Sequence, residues 1–235
     1  DMLTALALPN LIWARVMLGK VDGIDELIAR AEEAVTRFGD LRIKAHILRL
    51  YRAIWYRNTG RHAEALTQAS AAVRSGEELD QPVARSDAHY QLGLCRLAIG
   101  DVDDARRELA LARELAASAQ TPACLSPAAR GLAETELAAG RGELALGYAD
   151  DAVRSARGWS PVHLAGALVT LARVELVLDR IEDASAHGEQ ALEIHRRSGN
   201  HLGQARAHRV LGEAHRARHH QTGAEHLRHA LRLFE

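Results

Sequence analysis

Residues 91–112 read Gln91-Leu92-Gly93-Leu94-Cys95-Arg96-Leu97-Ala98-Ile99-Gly100-Asp101-Val102-Asp103-Asp104-Ala105-Arg106-Arg107-Glu108-Leu109-Ala110-Leu111-Ala112. A large apolar residue and a small one, Leu92-Gly93, precede a turn at Ile99-Gly100, and two alanines, Ala105 and Ala112, follow it seven apart. That spacing puts both alanines on one face of a helix, where the missing side chains let a neighbouring helix backbone come close. The stretch therefore predicts a helix, a glycine turn and a second helix packed back on the first.

The same phrase recurs in both directions. Turns at Leu18-Gly19, Thr59-Gly60, Ala139-Gly140, Leu178-Asp179 and Arg218-His219 join Ile99-Gly100 in a period of 39 to 41 residues. The positions of Ala105 and Ala112 are taken by Ile24 and Ala31, Ala65 and Ala72, Ala145 and Ala152, Ala184 and Ala191, and Ala224 and Leu231. The Leu92-Gly93 pair corresponds to Leu11-Ile12, Arg52-Ala53, Leu132-Ala133, Leu171-Ala172 and Leu211-Gly212. Six helix-turn-helix units and twelve helices are expected, over approximately 3–39, 40–80, 81–120, 121–159, 160–199 and 200–235, as one repeat domain covering 1–235. Ser160-Pro161, Thr121-Pro122, Ser126-Pro127 and Gln81-Pro82 place prolines and side-chain caps between units rather than inside them. Asp101, Asp103 and Asp104 follow a turn, where carboxylates meet the positive end of a helix. Their spacing is wrong for a calcium loop.

Composition agrees. Of 235 residues, 47% are hydrophobic but only 4% aromatic, so burial rests on Ala and Leu, strong helix formers, and not on strand formers. Thirty basic against 31 acidic side chains leave a net charge of -1, without the basic excess of a nucleic-acid-binding domain. The two cysteines, Cys95 and Cys124, form no CxxC pair, which indicates neither a disulfide framework nor a zinc site and suits a reducing cytoplasm. The longest apolar run, roughly Leu164 to Ala172, is far short of the ~20 residues that cross a bilayer, so no membrane association is expected. The chain begins inside helical sequence and ends without a tail, as an excised piece of a longer protein would.

The Leu-small pair, turn glycine and paired alanines resemble the tetratricopeptide repeat over nearly the whole chain. The resemblance implies an all-α, right-handed α-solenoid whose first helices line a concave binding groove, stabilised by the stacking of neighbouring repeats. The period of about 40, against 34 for the family, calls for longer helices, and a HEAT-like array has a similar period. The family's early Trp and terminal Pro are also not at their expected positions. Transferring the tetratricopeptide phase assigns Trp13, Ile54, Leu94, Glu134, Arg173 and Glu213 to the groove, with Leu50, Arg57, Asn58, Asp87, Tyr90, Leu97, Arg130, Arg206, Arg209 and Arg216 beside them. The first three repeats then offer an apolar and aromatic wall and the last three an Arg-rich one. An amphipathic ligand with an anionic end fits that gradient, since guanidinium forks recognise carboxylate and phosphate. The alternative is internal: Glu134, Arg173 and Glu213 alternate in sign and can neutralise one another.

Nine of the thirteen histidines lie after residue 186, among them His208, His215, His219, His226 and His229. Without an HExxH arrangement they read as a polar, partly pH-responsive patch, and no metal site is assigned. No GxSxG, P-loop or GxGxxG is present, and no acid stands isolated in an apolar stretch, so neither an enzymatic activity nor a cofactor is expected. Cys95 reads as a buried small residue rather than a nucleophile.

The stretch from Ala191-Leu192 through Ile194, Arg196, Gly199, Gly203, Ala205-Arg206-Ala207 and Leu211-Gly212 is similar to the C-terminal helical repeats of large actinobacterial transcription regulators. The closest groups are the Streptomyces antibiotic regulatory proteins and the large ATP-binding LuxR-type regulators, whose maltose-responsive member receives an inducer in such an array. That resemblance implies a sensor domain that holds an effector or protein partner and couples it to DNA-binding and ATPase modules outside this chain. A plain peptide- or protein-docking scaffold is the rival expectation.

Overall fold

The structure, a computed structural model, describes residues 2–38, 41–217 and 222–234. Twelve α-helices and no strand occur among the described residues: α1 (Met2–Met17), α2 (Ile24–Arg37), α3 (Arg42–Asn58), α4 (His62–Leu79), α5 (Pro82–Ala98), α6 (Val102–Ser118), α7 (Pro122–Ala138), α8 (Gly142–Ala156), α9 (Pro161–Val177), α10 (Ile181–Arg197), α11 (His201–Ala217) and α12 (Thr222–Phe234). Seven of them are 17 residues long, which accounts for the lengthened repeat period.

Contacts divide the chain into two compact units, Asp1–Val16 with Lys20–Cys124, and Met17–Gly19 with Leu125–Glu235. In the first unit α3 packs on α4 and α5, and α5 packs on α6. In the second, α9 packs on α8, α10 and α11, and α11 on α12. A first helix thus touches its own second helix and the first helix of the next repeat. The alanine pairs make this spacing work: Ala65, Ala72, Ala105, Ala112, Ala145, Ala152, Ala184 and Ala191 are all fully buried.

The five first helices whose ends lie among the described residues end the same way. The amide of the residue after the turn glycine donates to a carbonyl five residues back, Lys20 to Arg15, Arg61 to Tyr56, Asp101 to Arg96, Arg141 to Glu136 and Arg180 to Glu175, at 2.8–3.0 Å. This is the Schellman closure, which needs a left-handed residue at the turn. Gly100, at φ +82°, supplies it without strain, while Asp179 adopts φ +60° in the one of these five turns that lacks glycine. The sixth expected turn, Arg218-His219, lies outside the described residues. At the N-termini, Ser160 accepts from the His163 amide and Asp101 from the Asp104 amide, as their positions predict.

Four expectations need correction. Pro127 lies inside α7 and Pro9 inside α1, so prolines are not confined to the gaps. Each forfeits one backbone donor, a loss the surrounding packing tolerates. Leu11 is 44% exposed, and Ile12 beside it fills the core instead. In α12 Leu231 is 62% exposed and Ala224 also faces out, whereas Gly223 and Ala230 are buried. The last second helix is therefore rotated by one residue relative to the repeat. Its cause is local: a Cβ at Gly223 would lie 3.1 Å from the Gly212 carbonyl, so this helix sits too close to α11 for a larger residue to face it.

Candidate functional site

All sixteen residues assigned to the groove lie on first helices. In the first unit, Trp13 of α1 stacks on Tyr51 of α3, ring centroids 5.4 Å apart and planes 19° apart. Offset stacking of this kind adds about 0.5–1.5 kcal/mol beyond area burial. One edge of Trp13 stays open to solvent. Burial pushes the Tyr51 phenol up, and the charge of Asp87 on α5 adds to the effect. Asp87 is itself pushed up by burial, partly offset by the Cys124 thiol, which donates to its Oδ1 at 3.3 Å. Burial and that same carboxylate push the Cys124 thiol up to about 12, so it is no nucleophile at neutral pH. Burial also pushes Cys95 up, against the neighbouring Arg57 guanidinium.

Arg57 donates to Gln91 Oε1 at 2.9 Å. Leu50 and Ile54 are buried and build the floor under this face instead of its surface; Leu50 packs with Ala72 and Ala88. Tyr90, Leu94 and Leu97 are half-buried, and Asn58 is exposed.

In the second unit Glu134 of α7 accepts from the Thr170 hydroxyl at 3.3 Å and pairs with Arg173 of α9 at 3.8 Å. The internal pairing read from alternating charge is thus made for two of its three members. Glu213 instead approaches Arg209 at 4.0 Å on its own helix, a solvated pair that adds little. Arg216 is exposed and Arg206 half-buried.

Arg130 of α7 differs from the others. Its Nη1 occupies the space above Gly166 of α9, where a Cβ would stand 2.6 Å away. Its Nε is buried without an acceptor. After burial, the Arg130 charge is the next cause lowering His163 and His195, and Arg206 also lowers His195, which is pushed down to about 4. His195 Nδ1 is buried without a partner. The Arg130 charge thus acts on imidazoles of both α9 and α10, lowering each.

Tyr51, Gln91, Thr170, His163 and His195 belong to these faces and were not assigned from sequence. Tyr51 and Thr170 carried a weak signal, one residue after Leu50 and three before Arg173. Two buried carboxylates were also not anticipated. Glu136, 1% exposed, accepts from Arg141, and Glu175 meets His187 at 2.8 Å, which pushes that imidazole up. The first ties the end of α7 to the N-cap of α8, the second the end of α9 to α10.

Residues 163–235 match the tetratricopeptide repeat model. No curated protein matches the chain in sequence. Among solved structures, a Rap protein complexed with competence and sporulation factor is similar over 98% of this chain at TM-score 0.79 and 11% identity; the chain spans 64% of that protein. The apo form of RapI is similar over 99% of the chain, covering 84% of that protein, at TM-score 0.75 and 12% identity. The Rap conjugation gene regulator of plasmid pLS20, in complex with the Phr* peptide, gives TM-score 0.73 at 16% identity over 97% of the chain and 72% of that protein. At these identities the likeness shows the fold: tetratricopeptide-like helical repeats. Among the described residues no helix is long and apolar enough to cross a membrane.

Proposed function

We propose that this tetratricopeptide-like array is the receiving domain of a regulator, docking an extended peptide or a protein partner on its first-helix faces. The observation that carries this reading is the Trp13–Tyr51 stack, an aromatic pair left partly open to solvent on a repeat array whose core is mainly aliphatic. Large rigid rings bury contact area at low entropic cost, which is why they anchor interfaces. Support also comes from two structural relatives described in complex with competence and sporulation factor and with the Phr* peptide. The similarity of residues 191–214 to regulator repeats supports passing the bound state to DNA-binding and ATPase modules of a parent chain. A small-molecule effector on the same faces serves the same coupling. Coupling requires an occupant that binds one arrangement of the repeats better than another.

The test is selection of displayed random 12-residue peptides on the chain, followed by affinity measurement for Trp13→Ala and Tyr51→Ala. Losses of about tenfold or more are expected where an aromatic anchor is removed. Selected peptides that bind both variants as tightly as the parent chain would refute the assignment of this face.

A further inference from the structure

The sixth repeat carries a group of imidazoles that the docking function leaves unused. His208 and His215 lie on α11, and His226 and His229 on α12. The seam between these helices is closely packed. Leu227 of α12 fills the space over Gly212, where a Cβ would stand 2.7 Å from its Cγ, and Gly223 brings the α12 backbone against α11. The four imidazoles meet across this seam. His208 Nδ1 and His226 Nδ1 are hydrogen-bonded at 2.8 Å. The centroid of the His208 ring lies 4.3 Å from that of His229, and the centroid of the His226 ring 5.0 Å from that of His215. His208 is buried, and its Nε2 has no hydrogen-bond partner among the described residues. Arg232 donates to His229 Nδ1 at 3.1 Å, which requires a bare nitrogen there.

A hydrogen bond between two ring nitrogens needs one protonated and one bare partner, which two neutral imidazoles supply. A first added proton puts a charge into a buried site where the Nε2 of His208 has no acceptor, and a second sets two N–H groups head to head. Burial, the largest cause, and then His229, His226 and Arg196 of α10 push His208 down to about 4. Burial also pushes His226 down, with His215 and Arg196 adding to it; Glu189 of α10 and Glu225 of α12 act the other way and are outweighed. We infer that this seam of imidazoles is an acid-released latch, which holds α12 on α11 at neutral pH and lets it go on protonation, uncovering the α11 surface beneath Leu227. The folded value of His208 lies below its ordinary 6.5, so docking is fully favoured above pH 6.5 and loses that advantage as pH falls toward 4. The latch does not rest on the docking function proposed above.

Hydrogen–deuterium exchange of the full chain, read helix by helix and corrected for the intrinsic pH dependence of exchange, gives the opening constant of α12. A released His208 returns to its ordinary value, so between pH 7.5 and pH 5 that constant is expected to rise about thirtyfold through this residue alone. The opening constant of α8, which contains no histidine, is expected to stay flat. Most of the rise is expected to be lost in His208→Gln or in His226→Gln, which keep a polar group without the titration, and to persist in His201→Gln, on α11 outside the seam. Where His208→Gln fails to fold, proton NMR of the parent chain reads the same group, with the His208 ring expected to titrate well below its ordinary value. A rise of equal size in α8 means global acid unfolding and overturns the latch. So does a rise that survives undiminished in both seam variants, or a His208 titration at its ordinary value.

Discussion

Gly93 and Gly147 are both helical glycines, and replacing each by alanine has opposite consequences. Gly147 lies exposed in α8, with nothing within 4 Å of a Cβ built on it. Alanine there recovers the helix propensity that glycine gives up, about 0.8–1.0 kcal/mol. Gly93 lies in α5 against α6. A Cβ would stand 2.6 Å from Leu109 Cγ, 3.1 Å from its Cδ2 and 3.2 Å from the Ala105 carbonyl oxygen. Leu109 is fully buried, and the carbonyl belongs to a helical backbone, so neither can step aside cheaply. Overpacking of this kind costs about 1–3 kcal/mol, which outweighs the propensity gain. The expected outcome is a midpoint rise for Gly147→Ala and a fall for Gly93→Ala, a separation of about 1–3 kcal/mol between them. Urea unfolding followed by circular dichroism is the assay, with midpoints compared directly because a repeat array need not unfold in one step. A Gly93→Ala chain as stable as the parent would refute the close α5–α6 approach, and with it the reason the repeat demands a small residue after Leu92.

Three further outcomes follow from particular residues. Asp179 holds φ +60° where the equivalent described turns use glycine; Asp179→Gly should stabilise the chain by about 0.5–1 kcal/mol in the same assay, and a loss would mean its side chain contributes more than the strain. Glu136 is buried beneath Arg141; Arg141→Ala leaves that carboxylate without its guanidinium and should cost about 1–3 kcal/mol, with a neutral result contradicting the pairing. His195 is held neutral in the fold, its pKa pushed down from 6.5 to about 4. Because the folded value lies below the unfolded one, its contribution is complete above pH 6.5 and drains as pH falls toward 4, by up to roughly 3 kcal/mol. His195→Phe should reduce the slope of stability against pH in that window by up to about one proton, and an unchanged slope would place the titration elsewhere.

The repeat was legible because its determinants are local. Turn glycines and alanines seven apart mark contacts that every unit makes in the same way, and the alanines are buried without exception in the four units from residue 62 to residue 197. What the pattern could not show is where one residue of slack enters. At α12 the small residue facing α11 is Gly223 rather than Ala224, since both positions carry small side chains and only the close backbone approach chooses between them. Pro127 misled for a related reason: proline marks a boundary by propensity, yet α7 had already begun at Pro122.

The candidate site was legible only as a set of positions. Every assigned residue lies on a first helix, but partners separated by 34 to 38 residues decide what each one does, as Trp13 with Tyr51, Arg57 with Gln91 and Glu134 with Thr170 show. Leu50 and Ile54 share α3 with the half-buried Tyr51 and Arg57 and yet belong to the core, a difference that only their packing partners decide. Glu134 and Arg173, read in sequence as members of an alternating-charge network, do pair across α7 and α9, while Glu213 approaches Arg209 on its own helix.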